Sequence, residues 1–178
     1  MRKFTLILKI FLALLAVSSQ AFAQNISQDE DPNQTPVDFA ARPFSETDFN
    51  TYPFLKEFTN VVVINKANEG SDKQSMRVYV NGKLKEYTRI SSGREKFEKG
   101  CAAGQIPKRD HCSRRSYWSQ TPAGYFHVNE LVEKYFSKLW ETWMPYSVFF
   151  ESGIAFHQAP AGSEAKIGQR ASGGCVRV

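Results

Sequence analysis

A cysteine and a histidine near the C-terminal end of the 178-residue chain have the types and setting for nucleophilic catalysis. Cys175 closes the sequence Ser172-Gly173-Gly174-Cys175, and the two glycines allow a ligand to approach the backbone closely. We expect successive N–H groups of this segment to point at one place and to form an oxyanion hole. A thiol needs a base or a nearby cation to become a thiolate near neutral pH. His157, at the end of an apolar strand-like run, is the expected base.

Arg177, two residues after the cysteine, is expected to favour the thiolate or to bind a substrate carboxylate bidentately. Judged by residue type alone, these assignments have structural alternatives. A histidine at a strand end often makes a structural hydrogen bond, and Gly-Gly-Cys often forms a turn. His111 and His127 are the other histidines of the chain. We expect His111 to be held by loop structure beside Cys112 and His127 to lie on a sheet face.

The chain has three cysteines, so one is left over if the other two pair. Cys101 and Cys112 are close in sequence and are the expected disulfide, which leaves Cys175 free. Three buried free thiols are the alternative, which an oxidising compartment disfavours. A metal site built from Cys101, His111 and Cys112 would need a fourth ligand or an open position. We expect neither a metal nor a cofactor.

The N-terminal residues 1–23 have the features of a secretory signal peptide, with a basic start, an apolar stretch and Ala21-Phe22-Ala23 before the expected cleavage. An uncleaved anchor is the alternative, although the apolar run is short for a membrane span. Removal of this segment takes away three cations and leaves 20 basic against 18 acidic residues, so the net charge falls from +5 to +2. A nucleic-acid partner is therefore not indicated, and no stable membrane span is expected after cleavage.

The rest of the chain divides into a polar lead-in and one mainly β domain. Residues 24–57 are acidic and contain prolines, which predicts a flexible segment. The domain is expected over residues 58–178. A β-branched run at 61–64 predicts a buried strand. Two strands flanking Asn81-Gly82 predict a hairpin.

Further elements are predicted after the charged, irregular segment 93–120. A strand is expected over residues 124–128, and others at 147–150 and 154–156. Apolar and aromatic residues between 131 and 143 recur at helical spacing, which predicts an amphipathic helix that packs in the core. A lid over the substrate is the alternative role for this aromatic stripe.

The order of the motifs resembles the catalytic domain of the L,D-transpeptidases, the YkuD family. In that family a histidine is followed after about 14–17 residues by Ser/Thr-His-Gly-Cys and usually by Arg or Asn two positions on. His157, Ser172, Gly174, Cys175 and Arg177 fit this pattern. The segments 121–126 and 144–150, and the hairpin followed by Gly93, resemble other family motifs in the same order. Gly173 departs from the pattern, because the family usually has a histidine there. We expect this to weaken turnover, and a Gly173→His change to raise it.

The resemblance implies a β-sandwich with one helical insertion and a peptidoglycan substrate. Cys175 would be acylated by a tetrapeptide stem with release of D-Ala, and His157 would carry the proton, oriented by the carbonyl of Gln158. An amine of a second stem would then form a 3→3 cross-link. Water as acceptor would give an L,D-carboxypeptidase, and a lysine amine would attach a protein to the cell wall.

Two other functions compete with this interpretation. A Cys–His peptidoglycan endopeptidase or carboxypeptidase usually has its cysteine before its histidine, which this chain reverses. A non-catalytic wall-binding protein that retains the fold would be consistent with Gly173 and with the end of the sequence at Val178. Domains of the family that it resembles usually continue for a further short helix and strand, so the resemblance implies either a truncated C-terminal end or a missing sheet edge. Each interpretation predicts export to the periplasm or cell wall.

Overall fold

The computed structural model describes residues 42–178, so the expected signal peptide and residues 24–41 of the lead-in lie outside the described residues. The larger of two compact units contains the described residues 42–122 and 126–178. Its elements are α1 (Asp48–Thr51), a 3₁₀ helix (Pro53–Glu57), β1 (Asn60–Asn65), β2 (Ser75–Val80), β3 (Lys83–Arg89), β4 (Phe97–Glu98), α2 (Pro107–Asp110), β5 (Tyr117–Trp118), β6 (Glu130–Ser137), β7 (Thr142–Glu151), β8 (Ile154–His157), a second 3₁₀ helix (Glu164–Lys166) and β9 (Val176–Arg177).

The first sheet confirms the predicted hairpin. It has the order β1-β2-β3, with Val62 opposite Val78 and with β2 and β3 joined through Asn81-Gly82. Both turn residues have positive φ, at 50° and 71°, as the tight two-residue turn requires. The predicted strand at 61–64 lies within β1.

The second sheet has the order β6-β7-β8-β9. β6, β7 and β8 are antiparallel neighbours, and β9 returns parallel to β8. The predicted strands at 147–150 and 154–156 lie within β7 and β8.

The helix predicted between residues 131 and 143 is wrong, because this segment forms β6, a turn and the start of β7. The predicted helix would have placed the apolar residues of this segment on one face, packed against the core. Instead, Leu131 is 73% exposed and Trp143 59% exposed. Pairing with the β-branched and aromatic residues of β7 outweighs the local periodicity, as tertiary context often does. The strand predicted over 124–128 is also absent, since residues 121–129 lie outside any strand.

The four-stranded sheet has apolar residues on both faces. One cluster contains Ile90, Phe150 and Val176, with Met76 of the first sheet packed against it, so the two sheets share a core as in a sandwich. A second cluster contains Met144, Phe149 and Ala155. A mainly β architecture with only short helical pieces is therefore confirmed.

Residues 42–57 are folded and do not form part of a flexible lead-in. Phe44 and Phe49 are 4% and 3% exposed, and their rings lie 5.5 and 5.3 Å from the ring of Tyr79. The Tyr79 hydroxyl donates to the Phe44 carbonyl at 2.8 Å. The carboxylate of Asp48 pairs with Arg42. The acidic, proline-containing composition led to the prediction of a flexible segment, although Phe44 and Phe49 pack in the core.

The irregular segment before residue 121 is held by the predicted disulfide. Cys101 and Cys112 are bonded, with their Cα atoms 5.1 Å apart, and Cys175 is free. The short strands β4 and β5 pair with each other in the same segment, with Phe97 opposite Trp118. Among residues 42–178 no helix is long and apolar enough to cross a membrane.

Candidate active site

Strand pairing places the expected nucleophile and base on one face of the second sheet. Phe156 pairs with Val176 and His157 with Arg177. Because side chains alternate along a strand and paired residues share a face, Cys175 lies on the face of Ala155 and His157. The packing agrees with this register, since Cys175 contacts the Met144–Phe149–Ala155 cluster, whereas Val176 contributes to the core on the opposite face.

The surroundings of His157 keep its ring neutral and leave one ring nitrogen with a free lone pair. It is only 4% exposed, and burial lowers its pKa to about 4, against a smaller opposing effect of the hydrogen bond to Gln158. Its Nδ1 lies 2.7 Å from the Gln158 carbonyl, which can only accept, so Nδ1 carries the proton. Nε2 then keeps its lone pair. The expected contact with Gln158 is present, and the tautomer suits a general base.

Cys175 rests as a thiol. Burial raises its pKa, while the Ala155 N–H and the charge of Arg177 act in the opposite direction. The side chain is nevertheless partly exposed. A thiol of this kind reacts as a nucleophile only when a base removes its proton. The neutral His157 on the same face is suited to that step.

The loop before Cys175 is folded around the hydroxyl of Ser172. This hydroxyl donates to the Cys175 carbonyl and accepts from the Gly174 N–H at 3.0 Å. The expectation that successive N–H groups are free is therefore wrong for Gly174. Among the described residues the N–H groups of Gly173 and Cys175 have no acceptor, so these two remain available to an oxyanion.

Gly174 is a position that only glycine fits. Its φ is +133°, and a Cβ there would lie 2.8 Å from the Ile154 side chain. Its carbonyl accepts from the hydroxyl of Thr121 at 2.6 Å, and the same hydroxyl accepts from the Gly93 N–H at 2.8 Å. Distant motifs thus meet at the loop, which fixes the backbone beside Cys175.

The segment that follows β3 supports the same loop from its other side. Ser91 exchanges two backbone hydrogen bonds with Arg177, at 2.9 and 3.0 Å. Ser92 accepts from the N–H of Ser172 at 2.9 Å. Ser91, Ser92 and Ser172 are fully buried. The hydroxyls of Ser91 and Ser172 and the backbone groups named above are paired, whereas the Ser92 hydroxyl has no partner among the described residues. These hydrogen bonds leave the reactive loop little freedom to move.

The space beside Gly173 is filled by two side chains that the sequence did not identify. A Cβ on Gly173 would lie 2.5 Å from the Tyr117 hydroxyl and 2.7 Å from Trp140 Nε1. The indole N–H donates to that hydroxyl at 3.0 Å. A histidine at this position would have to displace one of the two rings, so the expected benefit of Gly173→His does not agree with the structure. A tyrosine in a charged loop gave no signal before the fold was known.

Two guanidinium groups lie beside the loop. Arg94 donates to Ala171 at 2.9 Å and to Glu98 at 2.5 Å. Arg177 donates to the same Ala171 carbonyl at 3.4 Å, and its buried Nε has no partner among the described residues. Burial and the charge of Arg94 lower the pKa of Arg177. Arg177 is thus a partly buried cation with unused donor capacity at its buried Nε.

The other candidate ligands and bases have different surroundings. His111 ends α2 in a left-handed conformation, with φ at 53°. The ring of His127 lies 5.4 Å from that of Phe58. The thiols of Cys101 and Cys112 are consumed by their disulfide, which removes the metal site that these cysteines would have formed with His111.

Comparison with known proteins identifies a family for this chain. The family model of the L,D-transpeptidase catalytic domain (YkuD) matches residues 59–178. An L,D-transpeptidase structure from Xylanimonas cellulosilytica is 26% identical, with a TM-score of 0.50, covering 67% of this chain and 48% of that one. An L,D-transpeptidase structure from Stackebrandtia nassauensis is 20% identical, with a TM-score of 0.45, covering 68% and 46%. No curated protein gave a significant match.

The chain therefore spans about half the length of these solved relatives. The family match itself covers most of the folded residues, including every strand from β1 to β9. Together with the mainly β architecture and the shared face of His157 and Cys175, it shows that this chain belongs to the YkuD family of L,D-transpeptidase catalytic domains.

Proposed function

We propose that the protein is a peptidoglycan L,D-transpeptidase in which Cys175 is the nucleophile and His157 the base. The observation that carries the proposal is the placement of a free, partly exposed thiol and a neutral histidine on one face of the β8–β9 pair. The thiol stands directly after a glycine loop with two N–H groups that lack acceptors among the described residues. A cysteine and a histidine with only structural roles would require neither a shared face nor unpaired N–H groups beside the thiol.

The first half of the reaction is acylation. His157 Nε2 takes the proton of the Cys175 thiol as sulfur attacks the carbonyl between the third residue of the stem and D-Ala. The N–H groups of Gly173 and Cys175 stabilise the oxyanion that forms. When the C–N bond breaks, the imidazolium returns the proton to the leaving amine. The products are a thioester on Cys175 and free D-Ala.

The second half is transfer. An acceptor amine loses a proton to His157 and attacks the thioester, and the thiolate leaves and is reprotonated. An amine from another stem gives the 3→3 cross-link. Water would give carboxypeptidase activity, and a lysine of a wall-attached protein would give anchoring. The chemistry up to the thioester is the same for all three acceptors.

We further propose that the protein acts outside the cytoplasm, in the periplasm or cell wall. The Cys101–Cys112 disulfide supports this location, since such bonds persist in oxidising compartments. The signal-peptide pattern of residues 1–23 also supports it. Secretion of the full-length chain, followed by N-terminal sequencing, tests the cleavage expected after Ala23.

The activity is tested with a soluble tetrapeptide stem and the mature protein. We expect release of D-Ala and, with a second stem present, a cross-linked product detected by mass spectrometry. A hydrolysed tripeptide alone would reassign the protein as a carboxypeptidase. Binding of stems without D-Ala release would favour the non-catalytic alternative. Ser152→Ala, a change at an exposed β7–β8 turn residue, serves as the matched control for Cys175→Ala.

A further inference from the structure

The Tyr117 hydroxyl occupies the position next to the proposed nucleophile that a side chain on Gly173 would take. An added Cβ at Gly173 would lie 2.5 Å from the hydroxyl oxygen. Gly173 is two residues before Cys175 in the same tightly bonded loop. Because Gly173 has no side chain, there is room beside the loop for the hydroxyl of Tyr117, which belongs to the distant strand β5.

The proton of this hydroxyl is not used within the fold. Trp140 Nε1 donates to the oxygen at 3.0 Å, so the tyrosine acts there as acceptor. Among the described residues its own O–H has no acceptor. Tyr117 is partly buried, and the buried Tyr79 shows the usual arrangement, in which the hydroxyl donates to an acceptor of the fold, here the Phe44 carbonyl at 2.8 Å. Burial raises the pKa of Tyr117 to about 12, so the proton stays on the oxygen at neutral pH.

The side chains around Gly173 are rich in donors and poor in acceptors. Arg94 and Arg177 both reach the Ala171 carbonyl, and the Arg94 guanidinium lies 5.4 Å from the centre of the Trp140 ring. Glu98 pairs with Arg94. No carboxylate in residues 42–178 pairs with Arg177, whose buried Nε is a second donor without a partner there. Such a composition favours an anionic oxygen.

We propose that Tyr117, oriented by Trp140, donates a hydrogen bond to an anionic oxygen of the group bound at Cys175, with Arg177 as the second donor. This deepens the proposed function and rests on it for the identity of the natural substrate. The oxygen has two possible sources: a carboxylate of the stem peptide, or the oxyanion of the tetrahedral intermediate. In both cases Tyr117 contacts substrate, and Trp140 is a positioning residue.

The direct test compares alkylation of Cys175 by iodoacetate and by iodoacetamide, which differ in carrying or lacking a carboxylate. In the full mature protein, Tyr117→Phe should lower the iodoacetate rate about tenfold, the effect of one hydrogen bond to a charged group. The iodoacetamide rate should change less than about twofold. Tyr87→Phe, at a half-exposed tyrosine on β3, is the matched control and should change neither rate.

An unchanged ratio of the two rates in Tyr117→Phe would overturn the proposal, and so would an equal loss of both rates, which would indicate a structural role. If Tyr117→Phe does not fold by near-UV circular dichroism, Trp140→Phe replaces it. That variant keeps the hydroxyl but removes its donor partner, and it should lower the ratio several-fold. An unchanged ratio there would also contradict the proposal.

D-Ala release from a tetrapeptide stem separates the two sources and isolates the proposed function. A rise in KM with unchanged kcat in Tyr117→Phe assigns the bond to a ground-state carboxylate, and a fall in kcat assigns it to the oxyanion. Wild-type protein that prefers iodoacetate through Tyr117 but releases no D-Ala would keep the anion site while refuting the transpeptidase. Normal D-Ala release in Tyr117→Phe, with an unchanged alkylation ratio, would refute the anion site while keeping the transpeptidase.

Discussion

The loop scaffold around Cys175 and the β6–β7 hairpin reverse the usual placement of polar and apolar residues. In the scaffold, Ser91, Ser92 and Ser172 are fully buried. In the hairpin, Leu131 and Trp143 are 73% and 59% exposed. The hydroxyls of Ser91 and Ser172, together with backbone groups, fix the reactive loop through hydrogen bonds, whereas the aromatic hairpin depends on strand pairing. The site therefore owes its rigidity to polar contacts, and the exposed apolar side chains contribute little to the core.

The largest expected effect comes from the base on the scaffold side. His157→Ala should slow acylation of Cys175 by roughly 10²–10⁴-fold, because no other group would accept the thiol proton. Stopped-flow measurement of β-lactam acylation gives this rate. His111→Ala and His127→Ala are the matched histidine controls. If either slows acylation more than His157→Ala does at equal stability, the base has been assigned to the wrong histidine.

The buried histidine should also make the scaffold sensitive to acid. The folded pKa of His157 is about 4, whereas an unfolded histidine titrates near 6.5. Between these values the unfolded state binds more protons, so the free energy of unfolding falls as pH falls, by about 3 kcal/mol in all. Urea unfolding at pH 7 and pH 4.5 measures most of this loss.

His157→Gln is the control for that pH effect, since glutamine does not titrate. The difference in unfolding free energy between wild type and variant should shrink as pH falls from 6.5 to 4. The pKa of Asp72 is lowered beside Arg77, despite the opposing effect of burial. Protonation of Asp72 therefore affects the free energy of unfolding of both proteins alike, and it does so at lower pH. A difference that is constant across this window would contradict a buried neutral histidine.

Removal of the Cys101–Cys112 disulfide tests how far this bond stabilises the irregular segment that carries Tyr117. Replacement of Cys101 and Cys112 by serine should lower the free energy of unfolding by about 2–3 kcal/mol, the effect of closing a short loop. Denaturant unfolding under non-reducing conditions measures it. A free-thiol count of one on unreduced wild type is the accompanying check, and a count of three would contradict the bridge.

The smallest effect is expected in the hairpin. Leu131→Thr should change the free energy of unfolding by less than about 0.5 kcal/mol, since the side chain is largely exposed and threonine suits a strand. Ile90→Ala, in the fully buried core, should cost about 2–5 kcal/mol. A Leu131→Thr loss close to the Ile90→Ala loss would mean that the aromatic face of the hairpin is covered in solution.

The sequence predicted the elements whose signals are local. The Asn81-Gly82 hairpin follows from turn chemistry, and the disulfide from short separation and an odd cysteine count. The contact of His157 with the Gln158 carbonyl followed from the family resemblance and is present in the structure. The hairpin at 130–151 was missed because its apolar spacing fits a helix as well as a strand, and only pairing with a partner strand decides between them.

The rest of the site depends on contacts that are remote in sequence. Tyr117 and Trp140 meet Gly173 across more than 30 residues, and no periodicity or motif marks such a meeting. The loss of the Gly174 N–H to Ser172 likewise depends on the loop conformation. A motif can identify the reactive residues, but the number of free donors around them follows from the folded backbone.

The central claim is that Cys175 becomes acylated, and intact mass spectrometry after incubation with a carbapenem tests it most directly. Wild-type mature protein should gain the mass of one inhibitor molecule, and peptide mapping should place it on Cys175. Cys175→Ala, folded to the same extent, should gain none. An adduct that persists in Cys175→Ala, or its absence from wild type, would contradict the account.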